Sequence, residues 1–197
     1  MRPSRRQSNC NRCVEALGLG RLAKRLPALE GRAIRIRFLP DLRAGRDKLY
    51  SERPFGQPVY AGSFIRRRSI ILDQELERQP RELARIVVHE LFHFVWVRLG
   101  NAVRSSYRAL LEREWKQRAR GELGWSAEMR KKRLRAGQRR RRRARQWRDY
   151  ACESFCDTAA WLYSGVRRHP EFTLSARHRE RRADWFHATF SGRGIPI

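Results

Sequence analysis

The sequence predicts an α+β domain in which a small sheet from the first 75 residues packs against helices supplied by the rest of the chain. Three observations carry this. Residues 32–39 alternate Arg with Ala33, Ile34, Ile36 and Phe38 until Pro40 stops the run, the pattern of a half-buried strand. Two shorter β-like runs follow, 58–65 and 69–72, joined by Arg66-Arg67-Arg68 and compatible with a hairpin or two neighbouring strands. From 81 to 99 the pattern becomes helical, with Pro80 in the first turn and Gly100 at the end.

The other elements are read from punctuation and periodicity. Residues 1–12 read as a frayed basic tail, and 14–29 as a weak helical pattern interrupted by Gly18 and Gly20. Residues 41–57 are loop-like, with Gly45, Pro54 and Gly56. A second helix is expected over about 102–120, and Ser126 can cap a third with Glu128 in its first turn. Residues 130–148 contain twelve Lys or Arg, five of them consecutive at 139–143, and predict a protruding basic helix or a partly disordered segment. The stretch 101–149 therefore reads as a basic helical insertion. A helix over 150–163 ends at Gly165, and a last one is expected over 175–190. No internal repeat or domain boundary is evident, so 1–197 is read as one domain.

Composition narrows the function classes. At 41% hydrophobic residues the composition argues against wholesale disorder, while 34% charged residues put much of the chain in water. The formal charge of +26 favours polyanionic neighbours: nucleic acid, an anionic membrane or an acidic protein. Arg outnumbers Lys 41 to 5, which GC-rich codon usage could also produce. No apolar window reaches the roughly 18 residues of a membrane span, and the basic N-terminus leads into no apolar signal region. Four cysteines are too few for a disulfide scaffold, so a cytoplasmic protein with reduced thiols is expected.

The chemistry-bearing feature is His89-Glu90-Leu91-Phe92-His93, an HExxH motif within a helical pattern. Spacing i,i+4 puts both imidazoles on one face, where they can share a tetrahedral Zn2+, with Glu90 beside them as a general base. Between Ile86 and Val97 only His89, Glu90 and His93 are not apolar, so the helix should be buried nearly all round. The competing reading is two core histidines and a buried ion pair. For a third ligand the best candidate is Glu153, with Asp157 one turn on accepting the free N–H of a ligating His; the alternative is a solvated helix edge.

HExxH followed by Glu153-x-x-x-Asp157 resembles the gluzincin branch of zinc metallopeptidases. The order of a β-like run, the HExxH helix and the Glu helix, with Ala159-Ala160-x-Leu162, is similar to minimal bacterial metallopeptidases of the ImmA/IrrE type. The resemblance covers about 58–100 and 148–165. It implies a zincin-like fold in which His89, His93 and Glu153 bind zinc and Asp157 supports a ligating His. The 59 residues between His93 and Glu153 are a departure from the compact members. A weaker resemblance, through the basic surface, is to SprT-type DNA-repair metallopeptidases. Those take a third His soon after the motif, whereas none follows His93 here before His169.

The expected activity is hydrolysis of peptide bonds in a protein or peptide substrate, through a metal-activated water with Glu90 as base. Candidates for stabilising the oxyanion are His169, His178, His187, Tyr107 and Tyr163, with the two histidines of the last helix, His178 and His187, read as exposed. Cys10 and Cys13 read as free thiols or as half of a zinc ribbon completed by Cys152 and Cys156; otherwise this second pair packs as small apolar residues. The alternative function is a non-enzymatic nucleic-acid-binding protein on the same scaffold, with 130–148, bracketed by Trp125 and Trp147, as the contact segment.

Overall fold

The computed structural model describes residues 9–46, 48–135, 140–192 and 194–197. Helices α1 (Asn9–Glu15) and α2 (Gly20–Arg25) come first, followed by β1 (Leu29–Glu30), β2 (Arg35–Leu39), β3 (Leu42–Gly45), β4 (Lys48–Ser51), β5 (Gln57–Pro58), β6 (Ala61–Phe64) and β7 (Ser69–Asp73). After a 3-10 turn, Gln74–Arg78, come α3 (Pro80–Arg98), α4 (Asn101–Lys116), α5 (Trp125–Arg135), α6 (Arg140–Tyr163), α7 (Ala176–Phe190) and β8 (Ile195–Pro196). The fold is mixed helix and sheet, α+β. No helix among the described residues is long and apolar enough to cross a membrane.

The central sheet has the order β2-β7-β6. β7 lies between a parallel and an antiparallel neighbour, with Ile70 and Leu72 fully buried, which is why its sequence is nearly continuously apolar. β6 is an edge strand; among the described residues its ladder is to β7 alone. The expected loop 41–57 instead contributes β3 and β4 to a second sheet, β4-β3-β5. Only Leu42 in these strands is buried, so the sequence shows no alternation of apolar and polar positions there.

The start of the described chain departs from the expected frayed tail. Asn9–Glu15 is helical, with Cys10 and Val14 fully buried, and Gly18 at φ +75° separates α1 from α2. Residues 1–8 of the expected tail lie outside the described residues. At the other end β8 pairs in parallel with β1, burying Ile195, and Ile197 beyond it is buried as well.

α3 lies between the central sheet and α6. Its Phe92 meets the rings of Phe155, Tyr163 and Phe186 at 5.6–6.3 Å between centroids. Truncating such a ring to Ala costs about 3–5 kcal/mol. The helix is not buried all round, however: Ile86 is half-buried and Val97 is 44% exposed, both facing grooves beside His89.

The 101–149 stretch packs into the molecule. Tyr107, Leu110 and Leu111 of α4 are buried, and α5 packs along α6, which starts at Arg140 and not near Tyr150. Within the basic run 130–148, residues 130–135 are helical in α5 and 140–148 in α6, and 136–139 lie outside the described residues. A buried charge network ties these helices together. Arg182 of α7 reaches Glu114 at 2.6 Å and Glu122 at 2.8 Å, while Glu122 also takes Lys131 at 2.7 Å and the Tyr150 hydroxyl at 2.5 Å. Two cations and two carboxylates balance, as burial of charge requires. His178, expected to be exposed, is buried on α7; His187 is exposed.

Candidate metal centre

One turn of α3 presents His89 and His93 side by side, their Nε2 atoms 3.2 Å apart. From α6, Glu153 Oε2 lies 3.4 Å from His89 Nε2 and 3.9 Å from His93 Nε2. A tetrahedral ion with ligands at about 2.0–2.1 Å separates its donor atoms by about 3.3–3.4 Å. The three atoms therefore stand close to a metal-ligand triangle, with the third edge slightly open. Glu153 Oε1 pairs with Arg130 of α5 at 2.9 Å, which leaves Oε2 as the oxygen facing the histidines.

Each imidazole has a partner at its other nitrogen. Asp157 Oδ1 accepts from His89 Nδ1 at 2.7 Å, while Oδ2 accepts the backbone N–H of Ala127, near the start of α5, at 3.2 Å. The close approach requires Gly124, because a Cβ there would collide with the Asp157 carboxylate. His93 Nδ1 faces Cys152 Sγ at 3.5 Å. Glu90 is buried beside His89, and the Ser63 hydroxyl from β6 donates to its Oε2.

The electrostatics favour positive charge at this point. Burial acts against a charged imidazole at both histidines. Asp157 and Glu153 outweigh it at His89, which is pushed well above its ordinary range; Cys152 and Glu153 do so at His93, raised to about 9. Burial would raise Glu153, but the two imidazoles and Arg130 hold it near 2. A hydrogen bond from Cys156 draws the Cys152 thiol down to about 6 against burial, with His93 assisting, whereas burial pushes Cys156 well above the usual thiol range.

Two grooves meet at these residues. One, of about 300 Å3, runs along β6 past Ser63 and ends near Ile65 and Val97. The other, of about 380 Å3, is walled by Tyr60, Ile86 and Trp125. His89 and Glu90 line both.

The chain matches no family model, no curated protein and no solved structure.

All five residues singled out from the sequence, His89, Glu90, His93, Glu153 and Asp157, meet in this one place. The oxyanion candidates do not. None of the five lines either groove: the Tyr107 hydroxyl is bound to Ser154 and Thr158, Tyr163 stacks on Phe92, and His169 faces Glu82 at 3.3 Å. Among the described residues Cys10 and Cys13 belong to no metal-capable group, and none of the four cysteines is in a disulfide. Sequence reasoning missed the contribution of α5: Arg130 was one cation in a basic run, and nothing about Ala127 signals that its N–H meets a carboxylate thirty residues on. Ser63 and Tyr60 were likewise hidden in an edge strand and its approach.

Proposed function

We propose that the protein is a zinc-dependent metallopeptidase with a zincin-like arrangement of the gluzincin kind. The observation that carries the reading is that α6 gives Glu153 to the Nε2 atoms of both histidines while Asp157, one turn on, holds His89 by Nδ1. Two imidazole nitrogens and one carboxylate oxygen are a donor set suited to Zn2+, and three protein ligands leave one position for chemistry, as catalytic zinc sites do. Bound there, zinc would supply Lewis acidity toward water and a peptide carbonyl.

The chain's own residues supply the rest. Glu90 borders the grooves beside His89 and His93, where its carboxylate can take a proton from water and return it to the departing amine. Ser63 restrains that carboxylate through Oε2. The edge of β6 that carries no ladder among the described residues runs along the same groove and offers backbone N–H and C=O groups to an extended peptide. Tyr60 and Trp125 give one groove an apolar wall for a substrate side chain.

The test combines elemental analysis with a peptide-library digest. Wild type should carry zinc at the His89–His93–Glu153 centre and cleave. Glu90→Gln should retain the wild-type zinc content and lose hydrolysis, whereas His89→Ala and Glu153→Ala should each lose one zinc relative to wild type. Cleavage by Glu90→Gln would overturn the mechanism, and a Glu153→Ala chain that keeps the wild-type zinc content would move the third ligand elsewhere.

A second reading, binding to nucleic acid with or without catalysis, is favoured by one observation. Among the described residues whose side chains are assigned, Arg85, Lys131 and Arg182 are the basic residues fully withdrawn from solvent, so nearly all of the charge excess borders water.

A further inference from the structure

α6 carries two i,i+4 pairs offset by one residue, Cys152/Cys156 and Glu153/Asp157, and both face α3. The acidic pair serves the Nε2 side of the histidines and Nδ1 of His89. The thiol pair gathers at Nδ1 of His93. Donor atoms of His93, Cys152 and Cys156 all lie within 4.8 Å of one another. The Cys156 thiol is fully buried and that of Cys152 half-buried.

We propose that Cys152, Cys156 and His93 Nδ1 form a second metal site, one for a soft, thiophilic cation. Geometry supports it at the edge that can be checked. A tetrahedral ion with sulfur at about 2.3 Å and nitrogen at about 2.0 Å holds those atoms about 3.5 Å apart, and Cys152 Sγ lies 3.5 Å from His93 Nδ1. Cysteines four apart on a helix stand one above the other, so both sulfurs reach one ion without backbone movement. Thiols that only filled space would have apolar neighbours, yet Cys152 points its sulfur at a ring nitrogen.

Donor chemistry selects the ion. Two thiolates and an imidazole suit Cu(I), Cd2+ or Zn2+, and disfavour the hard cations that carboxylates and carbonyls bind. The neighbouring trio contains no sulfur, so the sites differ in kind although they share one ring. The second site stands on its own geometry and does not require the peptidase reading.

Cobalt(II) titration of the full chain under reducing, anaerobic conditions tests this, because a thiolate ligand adds an intense near-ultraviolet charge-transfer band that nitrogen and oxygen ligands do not give. The band is expected in wild type, in Glu153→Ala and in a Cys10→Ser/Cys13→Ser double variant. It should be lost in Cys152→Ser and in Cys156→Ser, each verified as folded by circular dichroism. If a buried Cys156→Ser chain does not fold, the double variant still decides, since Cys152 and Cys156 are then its only sulfur donors of the thiol type. Wild type without the band, or a band lost in the double variant, overturns the proposal. Failure of the peptidase reading would instead appear as unchanged zinc in Glu153→Ala and leave the band untouched.

Discussion

Asp157 holds two elements with its two oxygens. Oδ1 orients His89 and Oδ2 receives the N–H of Ala127, so the carboxylate fixes a ring of α3 and the first turn of α5 together. Replacing it by Asn keeps the shape and removes the charge. Because outer partners of ligating histidines set both orientation and basicity, Asp157→Asn should weaken zinc binding by about 10- to 100-fold. Competition against a chelator measures this, and thermal unfolding of the metal-free chain shows whether the fold persists. Unaltered affinity would mean that Asp157 serves α5 alone. The pairing of Glu153 with Asp157 was legible because helical spacing is a local rule. Arg130 and Ser63 were not, because each reaches the site from another element through contacts that no local pattern encodes.

The helices that read clearly, α3 and α7, have long apolar periodicities or clear ends. Those that read poorly lack that signal. The start of α5 is legible in Ser126 and Glu128, but its second half is basic and gives no end, and the apolar groups it packs against come from distant segments; β3 and β4 bury almost nothing. What holds α5 in place is in part charge. Glu122, fully buried between Arg182 and Lys131, would be raised by burial, but its two cations hold it at about 2 against an ordinary 4.5. A carboxylate depressed in the folded state stabilises above its unfolded pKa and loses that contribution as pH falls through the folded value. The stabilisation should therefore be complete above about pH 5 and disappear toward pH 2, on the order of 3 kcal/mol in all. Urea unfolding between pH 7 and pH 2 would show it. Glu122→Gln should be less stable at pH 7 by about 3–5 kcal/mol, since it leaves buried cations underpaired, and its stability should vary less over the acid range. An equally steep acid loss in the variant would assign the effect to other carboxylates.

The whole chain carries +26, and the buried network accounts for none of it, because Arg182 and Lys131 are matched by Glu114 and Glu122. The excess therefore borders solvent, and on the second reading it would attract phosphate backbones without reading sequence. If six to ten phosphates are neutralised, affinity for duplex DNA should fall about 10^3- to 10^5-fold between 50 and 200 mM salt. The field belongs to the surface and not to the His89 centre, which sets the test. Fluorescence anisotropy with a labelled duplex should show the same salt slope for wild type, for wild type treated with a chelator, and for His89→Ala. Replacing Arg139–Arg143 by Ser should make the slope shallower, because contacts removed from that run no longer release counterions. Binding abolished by the chelator would tie DNA to the metal centre. A slope unchanged by the five substitutions would place the contact on another face, and a flat salt dependence would remove the electrostatic reading altogether.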